Sequence, residues 1–155
     1  METNQHSFFC KAKEGTHVLS TGNLYRIIAE GKRTENNFSL MEVTLESGQG
    51  APLHIHTKEY EAFFILEGEV TFNLENVDFF AKKEDFVSCA PNEIRGFKNN
   101  SNTRARMLLF YSSAGVEEMT LRNGMIIKEG VKPSIKNEYK TQCPILSKEY
   151  GIKEL

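Results

Sequence analysis

The sequence predicts an all-β protein, a sandwich or small barrel of short strands with helix only near the C-terminus. Short β-rich segments recur along the chain, and turn signals separate them about every eight to twelve residues. Several segments alternate apolar and polar residues, as expected of strands with one buried face. Helical spacing of apolar residues begins only after residue 114. Since helix appears only late, a sandwich or small barrel of strands is the predicted fold.

The composition is that of one globular domain. The chain has 155 residues, of which 39% are hydrophobic and 26% are charged. A net charge of −2 without a basic block argues against a nucleic-acid partner, and no apolar run is long enough to predict a membrane span. The N-terminus lacks the basic-then-apolar order of a secretion signal. Three widely spaced cysteines (Cys10, Cys89 and Cys143) predict free thiols, so we expect a cytoplasmic protein.

The first third of the chain begins with a polar, weakly patterned segment. Residues 1–23 predict an arm with one short strand near Phe8 and Phe9. The β-rich stretch 23–29 predicts the first strand of the barrel. Residues 38–46 alternate and should form a strand buried on much of both faces, with Met41 on the side shared by Ser39 and Val43.

The stretch from Gly48 to Gly68 contains the candidate metal-binding residues. His54 and His56 are two residues apart, so both side chains leave the same face of a strand. Glu61 stands at the head of an apolar run that Gly68 closes, which predicts a buried strand and a tight turn. Two imidazoles on one face, with a carboxylate from the next strand, are typical of a transition-metal site. The competing interpretation is an exposed strand face with surface charges.

Further strands and two helices complete the prediction. Strands are expected at 70–74, 79–81, 86–90 and 104–112, and helices at 115–122 and 144–151. The last helix has Pro144 at its start and Gly151 at its end. There is no internal repeat, so we expect one barrel at 24–113, preceded by the arm at 1–23 and followed by a helical extension at 114–155.

Five positions between Gly48 and Gly68 resemble the first motif of the cupin superfamily. They are Gly48, His54, His56, Glu61 and Gly68, and they fit every spacing of that motif. The wider chain, about residues 24–125, resembles the small single-domain cupins similar to quercetin dioxygenases. This resemblance implies a jelly-roll barrel, commonly a homodimer, with its mouth open to small molecules. It also implies that His54, His56 and Glu61 bind a divalent metal (Fe, Mn, Ni, Zn or Cu).

In the enzymes of this kind the metal binds an enolate-type substrate and oxygen, and the glutamate ligand acts as a base. Carried over, Glu61 would be both metal ligand and catalytic base of a dioxygenase acting on a small aromatic or enolisable compound. Two other functions fit the same fold: a module that binds a small ligand, anionic or aromatic, without turnover, and a degenerate structural cupin acting through its dimer surface.

The second cupin motif is incomplete, because no histidine follows His56. An ungapped alignment puts Gly96 at the position of the fourth ligand, which leaves a three-ligand site with open positions. A one-residue deletion puts Arg95 there, and we prefer this register because residues 96–99 then fit the family pattern. A guanidinium cannot bind a metal, and beside Glu61 it would repel one.

Four residues are candidates for substrate contact. Arg95 could bind an anionic ligand or pair with Glu61, and the competing interpretation is a solvated loop arginine. Phe63, Phe72 and Met41 are candidates for the barrel interior, where ordinary core packing is the favoured alternative for each. Glu59 is a substitute ligand if the turn before Glu61 is bulged.

Overall fold

The computed structural model describes residues 7–128 and 141–155, which form short strands, a 3₁₀ turn at Gly31–Arg33 and two helices. In chain order these elements are β1 (Thr16–Ser20), β2 (Asn23–Ala29), β3 (Ser39–Leu45), β4 (Gly50–His56), β5 (Tyr60–Glu67), β6 (Glu69–Leu74), β7 (Val77–Lys82), β8 (Phe86–Cys89), β9 (Ile94–Lys98), β10 (Ala105–Ser112), α1 (Val116–Asn123), β11 (Met125–Ile127), α2 (Pro144–Tyr150) and β12 (Ile152–Glu154).

The strands form two antiparallel sheets. The larger sheet has the order β11-β1-β2-β3-β10-β5-β8, and the smaller has the order β12-β4-β9-β6-β7. Neighbours in space are mostly distant in sequence, as in a jelly roll. The predicted all-β fold with two short C-terminal helices is therefore confirmed. No helix among the described residues combines the length and hydropathy that a membrane crossing requires.

The core lies between the two sheets. Alternate residues of each inner strand are buried, as in β3, where Met41 and Val43 have no exposed surface. Three rings meet across the sandwich: Phe63 of the larger sheet lies 5.0 Å from Phe72 and 5.5 Å from Phe97 of the smaller sheet, centroid to centroid. These edge-on contacts bury large apolar surfaces and hold the sheets together.

The ends of the chain contribute more strand than the sequence predicts. The strand expected near Phe8 and Phe9 lies instead at β1, where Val18 and Leu19 are buried. The segment expected to be a helical extension also supplies β11 to the edge of the larger sheet and β12 to the edge of the smaller one. Residues on both sides of the predicted barrel boundaries therefore take part in its sheets.

Candidate metal centre

The two histidines lie on one strand and the glutamate on a strand of the facing sheet. His54 and His56 are on β4, flanked in the smaller sheet by β9 and β12. Glu61 is on β5 of the larger sheet and is 1% exposed. Because inward-facing residues of both sheets meet in the core, strand alternation brings the imidazoles and the carboxylate to one place.

The three predicted ligands are brought together. Nε2 of His54 lies 3.2 Å from Nε2 of His56, and Nε2 of His56 lies 3.6 Å from Oε2 of Glu61. All three ligand atoms lie within 4.8 Å of one another. Spacings of this order suit two nitrogens and one oxygen that share a small cation.

Hydrogen bonds fix the orientation of both rings. Nδ1 of His54 lies 2.7 Å from the carbonyl oxygen of Pro52, and because a carbonyl only accepts, Nδ1 is the donor. Nδ1 of His56 faces Oε2 of Glu59 at 3.3 Å, with Glu59 only 3% exposed. The Nδ1 proton of His54 leaves the lone pair of its Nε2 toward His56 and Glu61, and the contact with Glu59 turns Nε2 of His56 toward the same point.

Tyr111 orients the carboxylate. Its hydroxyl on β10 donates to Oε1 of Glu61 at 2.8 Å. The other oxygen, Oε2, is buried and has no hydrogen-bond partner within the described part of the chain. Nε2 of both histidines and Oε2 of Glu61 therefore converge on one point. Such a cluster of acceptors is stabilised by a cation.

Burial keeps these groups in the protonation states that the geometry needs. Desolvation, the largest cause, lowers the pKa of His54 below its ordinary value, so the ring is neutral at neutral pH. Desolvation, followed by the nearby charge of Glu61, raises the pKa of Tyr111 well above its ordinary value. Tyr111 thus keeps its proton and remains a donor to Glu61.

Arg95 lies inside the barrel beside the cluster, on β9 directly opposite His54. It has no exposed surface, and its Nε is 3.6 Å from Oε2 of Glu61. Its Nη2 donates to the carbonyl oxygen of Ala90, whereas Nε and Nη1 have no hydrogen-bond partner among the described residues. The solvated-loop interpretation is wrong, because Arg95 lies on β9, which begins at Ile94 after the turn at Pro91, and its side chain is fully buried.

A cavity of about 380 Å³ opens onto the cluster and reaches His54, His56, Glu61 and Tyr111. Its walls come from both sheets, from α1 and from the C-terminal segment, and they are mainly apolar. The apolar lining includes Tyr25, Met41, Leu109, Val116, Met119 and Ile152. A volume of this size suits a small organic molecule.

The predicted substrate contacts are not all on the cavity wall. Met41 lines the cavity, as expected for a contact residue. Phe63 and Phe72 lie in the packed aromatic core and are absent from the lining, which favours the core-packing alternative. Arg95 is likewise absent from the cavity lining, although its Nε lies 3.6 Å from Oε2 of Glu61.

Several site residues escaped the sequence analysis. Tyr111 falls within the strand predicted at 104–112, but nothing local shows that β10 pairs with β5 and sets Tyr111 opposite Glu61. Glu59, considered as a substitute ligand, contacts the far nitrogen of His56 instead. Ile152 and Glu154 reach the cavity only because β12 pairs with β4, which no local signal indicates.

The part of the chain that carries the cluster is similar to a known protein family. The family model of the cupin domain matches residues 41–111. Quercetin 2,3-dioxygenase of Bacillus subtilis (strain 168) is 24% identical over 95 residues, which are 61% of this chain and 28% of that enzyme. The chain thus spans little more than a quarter of this curated relative.

Two solved structures of similar fold are matched over nearly their whole length. KdgF from Halomonas sp. superposes with a TM-score of 0.62 at 14% identity, over 72% of this chain and 97% of that one. A predicted oxalate decarboxylase from Thermotoga maritima gives a TM-score of 0.63 at 21% identity, over 68% and 99%. At such identities the likeness concerns the fold alone.

Proposed function

We propose, since the chain contains a cupin domain at residues 41–111, that it binds a divalent metal through His54, His56 and Glu61 and a small molecule in the adjoining cavity. The observation that carries this proposal is the convergence of three oriented acceptors. Pro52 and Glu59 orient the rings, and the bare oxygen of Glu61 completes the set.

The donor set fits a divalent metal. Neutral imidazoles and a carboxylate suit iron, manganese, nickel, zinc or copper, and two histidines with one carboxylate resemble the facial arrangement of non-haem iron sites. A metal held here supplies Lewis-acid activation to an oxygen-bearing substrate. With 24% identity to quercetin 2,3-dioxygenase, the reaction class we propose is a dioxygenase acting on a small aromatic or enolisable compound.

The protein's own groups would position such a substrate. Met41, Leu109 and Ile152 give the cavity an apolar wall that excludes water and orients a flat ring. Glu61 Oε2, buried and free of hydrogen bonds, is placed to accept a proton from an acidic C–H or O–H group. Tyr111 keeps the other oxygen of that carboxylate occupied, so only Oε2 faces the cluster.

Elemental analysis after incubation with each metal tests the site. We expect wild type to retain about one ion per chain after dialysis and His54→Ala to lose at least about tenfold in affinity. His17→Ala is the matched control, because His17 lies on β1, outside the lining of this cavity. Equal metal content in all three proteins would contradict the proposal.

A second candidate function is metal-free ligand binding. It is favoured by one observation: the Nε of Arg95 lies 3.6 Å from Oε2 of Glu61, and both residues are buried. At about 4 Å and an effective dielectric near 20, one such charge–charge interaction amounts to roughly 4 kcal/mol before desolvation. The guanidinium thus compensates the charge of Glu61 and opposes a cation at the same point.

Arg95→Gln separates the two functions. If wild type binds metal, removing the guanidinium should tighten binding by at least about tenfold. If the site is metal-free, wild type should bind none of the five metals, and quercetin, used as a probe, should bind equally with and without a chelator. Arg95→Lys, which keeps the charge, serves as the control.

A further inference from the structure

The cavity has a polar end, separate from the cluster of His54, His56 and Glu61. Its lining there comes from the end of β1 and the turn after it, from α1, and from the segment that leads into α2. The polar residues at this end are Ser20, Thr21, Thr120, Thr141 and Gln142. The lining thus becomes polar again beyond the apolar wall.

Strand order places this polar end away from Glu61. In the larger sheet, β2, β3 and β10 separate β1 from β5. These three strands supply an apolar part of the wall, in the order Tyr25, Met41 and Leu109. Because α1 packs against β1 and α2, the residues of α1 and of the segment before α2 belong to the same end. A molecule that fills the cavity therefore passes from the metal cluster over an apolar middle to the polar end.

Three hydroxyl groups at the polar end already have hydrogen bonds. Oγ1 of Thr120 donates to the carbonyl oxygen of Val116 at 2.9 Å, and Oγ1 of Thr21 donates to the carbonyl oxygen of Ser20 at 2.7 Å. Oγ of Ser20 accepts from the side-chain amide of Asn123 at 3.0 Å. These groups are therefore held by the protein itself.

The side-chain amide of Gln142 differs from these hydroxyl groups. Its Nε2 is buried and has no hydrogen-bond partner within residues 7–128 and 141–155. A buried N–H group without an acceptor costs free energy, and few are found in native proteins. The last bond of a glutamine side chain turns easily, and Gln142 lines the cavity, so Nε2 can meet an acceptor that lies there.

The backbone at Gln142 is held on both sides by one side chain. Nδ2 of Asn123, the last residue of α1, donates to the carbonyl oxygen of Thr141 at 3.3 Å. Oδ1 of Asn123 accepts from the backbone N–H of Cys143 at 2.8 Å. Because Asn123 binds the residue before Gln142 and the residue after it, this segment is fixed against α1. A fixed donor loses less entropy when a ligand binds.

We propose that Gln142 determines ligand specificity by donating from Nε2 to an acceptor at the end of the ligand that lies farthest from the metal. The inference rests on the proposed function and adds the class of ligand: a molecule with a metal-binding oxygen at one end, an apolar middle and an acceptor at the other end. Among the described residues, no lysine or arginine lines the cavity, so a neutral carbonyl oxygen suits the polar end better than a carboxylate.

Two probes of the same shape test this contact on the metal-loaded full chain. 4′-Acetyl-3-hydroxyflavone and 4′-isopropenyl-3-hydroxyflavone share a hydroxyl and a ketone that chelate a metal, and differ only in the acceptor at the opposite end. In calorimetric titration we expect wild type to bind the acetyl probe at least about tenfold more tightly. Gln142→Leu should remove this preference by weakening the binding of the acetyl probe alone. Gln142→Glu, which keeps the size but cannot donate when ionised, should do the same.

The ligand-free protein gives a second readout. Because Nε2 has no partner among the described residues, Gln142→Leu should raise the melting temperature by about 2–4 °C. A glutamine with a purely structural role would give the opposite change. Gln49→Leu is the matched control, since Gln49 lies outside the cavity lining and its Nε2 donates to the carbonyl oxygen of Gly22 at 2.6 Å. It should lower the melting temperature and keep the preference for the acetyl probe.

A wild-type protein that binds both probes equally, or neither, would overturn the proposal. So would a preference that Gln142→Leu retains or that Gln49→Leu removes. An unchanged or lowered melting temperature in Gln142→Leu would also overturn it, because Nε2 would then have a partner in the ligand-free protein. Elemental analysis of the same samples separates the two proposals. Wild type without metal contradicts the proposed function, whereas metal-loaded wild type without a preference contradicts only the role of Gln142.

Discussion

Tyr111 decides which oxygen of Glu61 faces the histidines. Its hydroxyl donates to Oε1 at 2.8 Å, and burial raises its pKa well above the ordinary value, so the proton stays on the hydroxyl at any pH near neutrality. The carboxylate cannot turn without breaking this bond in a buried site. Tyr111 thus positions the carboxylate through which we propose that Glu61 binds a metal.

We therefore expect Tyr111→Phe to lower metal affinity by about tenfold to a hundredfold and stability by about 1–3 kcal/mol. Titration with Mn²⁺ or Fe²⁺ and urea unfolding measure the two effects. Tyr25→Phe is the control: Tyr25 also lines the cavity, but its hydroxyl contacts Asn23 and Thr21 instead of Glu61. It should lower stability alone, and an equal loss of metal affinity would exclude a specific role for Tyr111.

At the scale of elements, the C-terminal strand closes one wall of the cavity. β12 pairs with β4 and sets Ile152 opposite His56 and Glu154 opposite His54. It follows α2 through Gly151, whose φ of +74° lies in the left-handed region. A side chain there would also meet the hydroxyl oxygen of Thr57 at 2.5 Å. The position of this wall thus depends on a glycine.

Gly151→Ala should destabilise the protein by about 2 kcal/mol or more, because backbone strain adds to the contact with Thr57. Gly22→Ala makes a suitable comparison, since Gly22 has a φ of +78° but open space around the added carbon. It should lose only about 1 kcal/mol. Urea unfolding gives the free energy of unfolding of both variants. Equal losses would show that the side chain of Thr57 moves away from the added carbon at no cost in stability.

A charge ladder joins three strands of the larger sheet. Glu42 on β3 accepts from Arg26 on β2 and from Arg106 on β10. Burial raises the pKa of Glu42, but the hydrogen bonds from both arginines more than offset this and hold the pKa below its usual value. A lowered pKa in the folded state stabilises the fold above the unfolded pKa of about 4.3.

The stabilisation of the fold by ionised Glu42 should be lost as pH falls from about 4.3 through the lower pKa that Glu42 has in the folded state. We expect Glu42→Gln to be less stable than wild type by roughly 1–2 kcal/mol at neutral pH. The difference should shrink as the solution is acidified. Thermal unfolding of both proteins across this pH range measures the difference in stability. A difference that stays constant with pH would mean that the contacts with the two arginines do not require the charge of Glu42.

At the scale of the whole molecule, the two sheets divide the interior into a packed part and an open part. The rings of Phe63 and Phe72 fill the packed part, Phe97 borders both parts, and the cavity lies toward α1 and β12. Glu61 and the two histidines lie at the cavity, outside the packed part. Stability and site geometry are thus supplied by neighbouring but distinct regions.

Phe72→Leu should therefore lower stability by about 1–3 kcal/mol and leave the metal content of the folded protein unchanged. Phe80→Leu on the next strand should have almost no effect, because Phe80 is 70% exposed. Calorimetric unfolding measures the stability of both variants, and elemental analysis measures their metal content. A selective loss of ligand or metal binding in Phe72→Leu, without loss of stability, would instead support the predicted substrate contact.

The sequence alone is enough to predict the fold class and the convergence of His54, His56 and Glu61. Period-2 alternation is a local property, so most inner strands could be placed from it, and the spacing of His54, His56 and Glu61 follows from two strands and one turn. The tertiary structure alone decided that Arg95 is buried against Glu61, that Tyr111 orients that carboxylate and that β12 closes the cavity. Each of these depends on pairing or facing between strands far apart in the chain, which local periodicity does not encode.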